Sequence, residues 1–147
     1  MIDKKLLKMS KGEIPADLVL KHGRIVDVFN ERLIRKDIAI ADGIILGIGD
    51  YEGVKEIDFE ENIICPGFID GHMHLESAMV KIDEFAAWIV PRGTTTIFAD
   101  PHEIANVAGI EGIKYFLDRG NQLPWNFNLM LPSCVPATSN ETSGAVL

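Results

Sequence analysis

Cysteine is nearly absent from this chain. Cys65 and Cys134 are the only two, they lie far apart, and neither belongs to a Cys-x-x-Cys. That excludes a disulfide framework and a paired-thiolate metal site, and makes a reducing cytoplasm the expected setting. Long apolar runs are missing too. Stretches such as Ile44-Ile45-Leu46 fall far short of the roughly 20 residues a membrane-spanning helix needs. The N-terminus, Met1-Ile2-Asp3-Lys4-Lys5-Leu6-Leu7-Lys8, has no continuous apolar core and no small-residue cleavage site, so it does not read as a signal peptide. Positive charge is in deficit, with 14 Lys and Arg against 22 Asp and Glu and a net charge of −8. Such a balance argues against binding to nucleic-acid backbone. There is no internal repeat, low-complexity tract or long charge run.

What is present is a globular composition. Hydrophobic residues make up 47% of the 147 and charged residues 24%, enough to bury a real core. Residues 1–10 have helical apolar spacing at Ile2, Leu6, Leu7 and Met9. Strand-like segments follow. Asp17-Leu18-Val19-Leu20 and Arg24-Ile25-Val26-Asp27-Val28 flank His22-Gly23, which reads as a hairpin turn with a solvated His22. Asp37–Ile40 and Ile44–Ile48 flank Ala41-Asp42-Gly43, whose Asp-Gly is a strong hairpin signal. Val54 to Phe59 adds a strand. Residues 1–65 are therefore expected to form a helix and a small antiparallel β unit.

The pattern changes at Pro66. Phe68 to His74 is strand-like. Ile82 to Val90 has helical spacing and stops at Pro91-Arg92-Gly93. Thr94–Ala99 is a β-branched strand. Ile104 to Leu117 is helical, with Arg119-Gly120 as a stop, and Trp125 to Leu131 is a strand again. The order β-α-β-α-β predicts parallel strands with crossover helices. Residues 66–147 thus read as the start of a (β/α)₈ barrel, about three of its eight strands. Trp88 and Trp125 are expected in the core.

The most informative segment is Pro66-Gly67-Phe68-Ile69-Asp70-Gly71-His72-Met73-His74-Leu75-Glu76-Ser77. Alternation along an extended strand puts Asp70, His72, His74 and Glu76 on one face. Two adjacent imidazoles flanked by carboxylates make half of a metal site. His74-Leu75-Glu76 also fits the His-x-Glu half of the zinc nucleobase-deaminase signature, but no Pro-Cys-x-x-Cys follows it. A second cluster, Asp100-Pro101-His102-Glu103, follows the second strand of that half. Asp100 and Glu103 have the spacing of a helix N-cap box, whereas a cap has no use for His102, which is therefore a substrate-contact, proton-carrier or ligand candidate. A third segment, Pro132 to Gly144, is loop-like, and Cys134 has no basic partner nearby in sequence to make it a nucleophile.

Taken together, residues 66–77, 93–107, 131–138 and 141–145 resemble the amidohydrolase superfamily and, within it, the adenine deaminase family. The first segment is shared broadly across the superfamily, and the second and third carry the narrower likeness. The resemblance implies an α/β protein, the N-terminal part of a composite β-sandwich joined to a truncated metal-dependent (β/α)₈ barrel. It implies hydrolysis of adenine to hypoxanthine and ammonia in purine salvage, at a binuclear centre of manganese or iron; imidazole would serve zinc as well. His72 and His74 match the first-strand ligand pair. Asp70, Glu76, Asp100, His102 and Glu103 are candidates on the substrate side or behind the ligands.

The family's bridging carboxylate, further histidines and catalytic aspartate match nothing in these 147 residues, so the general base is expected beyond residue 147. The chain alone is accordingly expected to be inactive and marginally stable. It then acts as half of a split enzyme completed by a C-terminal chain, or is a non-catalytic remnant. A different amidohydrolase with another cyclic amide is the weaker alternative, and self-association is compatible with the sequence.

Overall fold

Helical spacing at the start of the chain is realised as α1, Lys4–Ser10, opened by Asp3, whose carboxylate accepts from the Lys5 amide at 2.7 Å. The computed structural model describes residues 3–132 and Val135, and divides the chain into two compact units, Met1–Pro66 and Gly67–Leu147.

In the first unit Ala16–Asp27 forms a single 12-residue strand, β1. The expected hairpin at His22-Gly23 does not exist. His22 takes φ 54° and the register with its neighbour shifts between Leu20 and Gly23, so the two residues form a bulge in a continuous strand. The turn-like pair is overridden because both halves of β1 find partners along its whole length. On one edge lies β2, Arg32–Ala41, antiparallel to β1 and followed by β3, Ile44–Gly49. The Asp-Gly hairpin forms as expected, with Asp42 and Gly43 at φ 50° and 72°. On the other edge, β4 (Gly53–Asp58) and β5 (Ile63–Ile64) pair with β1 in parallel. The sheet is therefore mixed rather than antiparallel. The segment after β3 crosses to the far edge of β1 instead of returning beside β3.

One cluster in this sheet consists of Ala16, Val19 and Ala39, with Leu46 and Tyr51 against them. The Tyr51 hydroxyl donates to the Ser10 carbonyl at 2.9 Å and ties α1 to the sheet. Among the described residues, Asp37 is the one buried charged side chain. It accepts from Lys21 Nζ at 2.6 Å and from the His22 amide at 3.2 Å. Burial alone would raise the Asp37 carboxyl, but the Lys21 and His22 hydrogen bonds outweigh it and hold the pKa below 3.8.

The second unit holds three strands in the order β6-β7-β8, all parallel: Phe68–Met73, Thr94–Ala99 and Asn126–Leu129. Between them run α2, Ile82–Ile89, and α3, His102–Gly120. A 3₁₀ turn at Leu75–Ala78 precedes α2, and another at Val90–Arg92, forced by Pro91, ends it. The β-α-β-α-β expectation holds, and the unit is a partial barrel. Its core is Leu75, Ile82, Ile97, Ala99 and Phe116. Trp125 packs against that core, and its indole N–H donates to the Gly120 carbonyl.

One expectation fails here, and a second holds with altered bounds. Trp88 is 61% exposed rather than core, two residues past the buried Ala86 and with the Arg92 guanidinium 5.0 Å over its ring. The helix expected at 104–117 starts at His102 and is broken at Gly109, whose φ of 58° and ψ of −146° only glycine adopts without strain.

Two outcomes follow from the packing. Replacing Ile97 by Ala, at 0% exposure, should cost about 2–5 kcal/mol in a chemical denaturation experiment. Asp37→Ala should cost about 1.5–3 kcal/mol by stranding Lys21, whereas Asp50→Ala, which removes the exposed Lys36 partner, should cost under about 1 kcal/mol. Acid should also weaken the first unit. Asp27, hydrogen-bonded by Asn30 and Arg32, and Asp58, hydrogen-bonded by the Glu60 amide and His22, join Asp37 below 3.8. Each folded pKa lies below its unfolded value, so the stability these groups give is full above about pH 4 and is lost as pH falls through the folded values. His22 opposes this trend. Its hydrogen bond to Asp58 raises its pKa above 6.5, so its contribution is present in acid and lost as pH rises through that raised value. Denaturation midpoints between about pH 2 and 8 would check both signs.

Candidate metal centre

The candidate residues are assembled by the parallel pairing of β6 with β7. Beyond the last paired residues, Met73 and Ala99, the Asp100 amide donates to the Met73 carbonyl at 2.8 Å. The carboxyl ends of two strands are thereby locked together, where ligands bind in sheets of this kind.

His72, His74 and Asp100 each offer one ligand atom, and these atoms lie within 4.8 Å of one another. The imidazole centroids of His72 and His74 are 5.3 Å apart, and His72 Nε2 is 3.6 Å from Asp100 Oδ2. The other carboxylate oxygen, Asp100 Oδ1, is buried without a hydrogen-bond partner. A carboxylate oxygen held in that state is costly unless a cation or donor meets it. The donor set of two imidazoles and a carboxylate suits a divalent transition metal. On both counts the residues present fit such an ion.

Asp100 does not act as the helix cap that its spacing allowed. Pro101 occupies the cap position of α3, with no side-chain cap bond. The acceptor comes from the 3₁₀ turn that follows β6: Glu76 Oε1 receives the Ile104 amide at 2.7 Å, while Glu76 Oε2 is buried and unpartnered. Spacing within 100–103 could not reveal this, because the capping residue lies 28 positions earlier.

Glu103 is likewise not a capping partner. Its Oε2 is 2.7 Å from His74 Nδ1, and Ser77 Oγ lies 3.5 Å from its Oε1. His74, Glu76 and Glu103 form a second group of ligand atoms within 4.8 Å. Strand alternation does not explain these positions. The β6–β7 register shifts between Asp70 and Met73, and Glu76 sits in the 3₁₀ turn. Asp70 remains exposed, with its Oδ1 accepting from the His72 amide at 3.1 Å, and it belongs to neither group. His102 is half-buried and is also in neither group. Ser133, Cys134 and residues 136–147 lie outside the described residues, so the third segment adds nothing to the geometry.

Comparison with known proteins places the chain in a class. The profile of the Amidohydrolase family matches residues 63–146, more than half of the chain. The chain belongs to the amidohydrolase family. Its relatives are narrower in kind. It is 60% identical over all 147 residues to an adenine deaminase of Petrotoga mobilis, covering 26% of that protein, and 54% identical over 141 residues to an adenine deaminase of Bacillus subtilis, covering 24%. The chain thus spans about a quarter of the length of the curated relatives it matches. An L-hydantoinase (dihydropyrimidinase) from Arthrobacter aurescens shares the fold, with a TM-score of 0.54 and 23% identity over 78% of this chain and 27% of that one. Among the described residues no helix is long and apolar enough to cross a membrane.

The buried, unpartnered Asp100 oxygen has a measurable consequence. Asp100→Ala should leave the metal-free stability unchanged or raise it by up to about 2 kcal/mol, since a costly buried group is removed. The same change should weaken binding of a divalent cation about tenfold or more. Denaturation without metal and calorimetric titration with Zn²⁺ would check the two signs together.

Proposed function

We propose that this chain is the N-terminal portion of a metal-dependent adenine deaminase, with His72 and His74 as ligands of its metal centre. The observation that carries the proposal is the 60% identity to an adenine deaminase, which runs across all 147 residues. The arrangement of His72, His74 and Asp100 supports it, as a donor set suited to a divalent cation. We expect manganese or iron, in a binuclear centre when the enzyme is whole.

The reaction is adenine plus water giving hypoxanthine plus ammonia. A bound divalent cation supplies Lewis acidity and makes a water nucleophilic at neutral pH. His72 and His74 would hold the ion through imidazole nitrogens, and Asp100 would add a carboxylate oxygen beside them. Three ligands at the ends of two strands would hold an ion less tightly than the fuller set a catalytic centre needs. The remaining ligands, and the group that moves the proton, are supplied by residues that match the other three-quarters of the relatives. A reducing cytoplasm suits the free, exposed Cys65.

The test is a purified sample of the 147-residue chain, assayed for ammonia release from adenine with Mn²⁺ present. No turnover is expected from the chain alone. Deamination is expected when it is co-produced with a segment matching the rest of the relatives, and should fall at least a thousandfold when His72 is replaced by Ala in that assembly, about 4 kcal/mol of barrier. Turnover by the chain alone would overturn the division of the site. An assembled protein that hydrolyses a cyclic amide but not adenine would overturn the substrate.

A further inference from the structure

We infer that Glu103 is a positioning residue: its carboxylate accepts the Nδ1 proton of His74 and thereby leaves Nε2 as the nitrogen presented to a cation. The inference rests on the reading of His74 as a ligand and adds what sets that ligand's tautomer.

A neutral imidazole carries one proton, and whichever nitrogen holds it cannot bind a metal. Nothing in the imidazole itself decides the choice strongly. Here one nitrogen is already engaged: Glu103 Oε2 stands 2.7 Å from His74 Nδ1. An ionised carboxylate is acceptor-only, so the proton belongs on Nδ1 and the lone pair on Nε2. No comparable carboxylate stands at His72 Nδ1 among the described hydrogen bonds; the His72 contact is from Nε2, to Asp100. The two imidazoles are thus not equivalent. His74 is pre-set, while His72 is 58% exposed at its side chain and less constrained.

The position of Glu103 is itself built. It lies in the first turn of α3, and that turn is fixed by the Ile104 amide donating to Glu76 Oε1 at 2.7 Å. Glu76 belongs to the 3₁₀ turn that begins immediately after His74. The ligand, the residue anchoring α3 and the residue orienting the ligand therefore form a closed loop: His74 to Glu76 by chain, Glu76 to α3 by hydrogen bond, and Glu103 back to His74. Ser77 Oγ, at 3.5 Å from Glu103 Oε1, lies at the edge of hydrogen-bonding distance on the other side of the carboxylate. A carboxylate behind a ligating histidine fixes its ring and raises its basicity, and its loss typically weakens metal binding 10- to 100-fold.

The experiment uses the 147-residue chain and its Glu103→Ala and Glu103→Gln variants. Long-range ¹⁵N–¹H spectra of the metal-free chain at about pH 8.5, above the ordinary imidazole range, report the tautomer. Zn²⁺ titration reports affinity. We expect His74 to be the Nδ1–H form in the unchanged chain and to lose that preference in Glu103→Ala, with Zn²⁺ bound about 10- to 100-fold more weakly. Glu103→Gln keeps an acceptor oxygen of the same reach, and should retain the tautomer and recover part of the affinity. A His74 already in the Nε2–H form, or equal Zn²⁺ affinity across all three chains, overturns the inference. Should the unchanged chain hold the Nδ1–H form through Glu103 yet bind no Zn²⁺, the ligand reading falls while the tautomer control stands, so the two failures are distinguishable. Amide spectra of Glu103→Gln establish that the fold is retained.

Discussion

The parallel registration of β6 against β7, closed by the Asp100 amide on the Met73 carbonyl, is the constraint on which the candidate site depends. It sets the end of one motif beside the end of another, 26 to 29 residues apart in sequence. Without it His72 and His74 are two imidazoles on a loop, and Asp100 and Glu103 are two carboxylates at the start of a helix. With it, one carboxylate lies against each imidazole, Asp100 at His72 and Glu103 at His74.

That registration is held from below by the core. Ile97 and Ala99 on β7 are fully buried, and Leu75, just beyond the second histidine, belongs to the same cluster. Burying Leu75 ends β6 and turns the chain into the 3₁₀ segment that carries Glu76 toward α3. A hydrophobic contact therefore directs a polar one. The result is a site with surplus negative charge, in which two carboxylate oxygens are buried without partners, Glu76 Oε2 and Asp100 Oδ1. A fold tolerates such groups where a cation or substrate repays their desolvation.

Much of this could be read in advance, and the failures have a common origin. The helix in 82–90, the β-branched strand 94–99 and the Asp42-Gly43 hairpin depend on neighbours in sequence, and periodicity or turn chemistry found them. His22-Gly23 has the same local look as a turn, yet β1 runs through it because both of its edges are paired. Trp88 is expected in the core, but Ala86, two residues earlier on α2, takes the inward position. In the site, the imidazole pair was visible from its spacing alone. What Asp100, Glu76 and Glu103 do was not, because the turn after β6 reaches across to cap α3 and the local capping pattern goes unused. Long-range hydrogen bonds decide such roles, and a single sequence does not display them.

The claim underlying all of this is that His72, His74 and Asp100 together hold a divalent cation. X-ray absorption at the zinc edge of the Zn²⁺-loaded chain tests it most directly. Two imidazole nitrogens at about 2.0–2.1 Å with oxygen completing the shell are expected, and one imidazole should be lost in His74→Ala. A spectrum with oxygen ligands only, or one unchanged by that substitution, would contradict it.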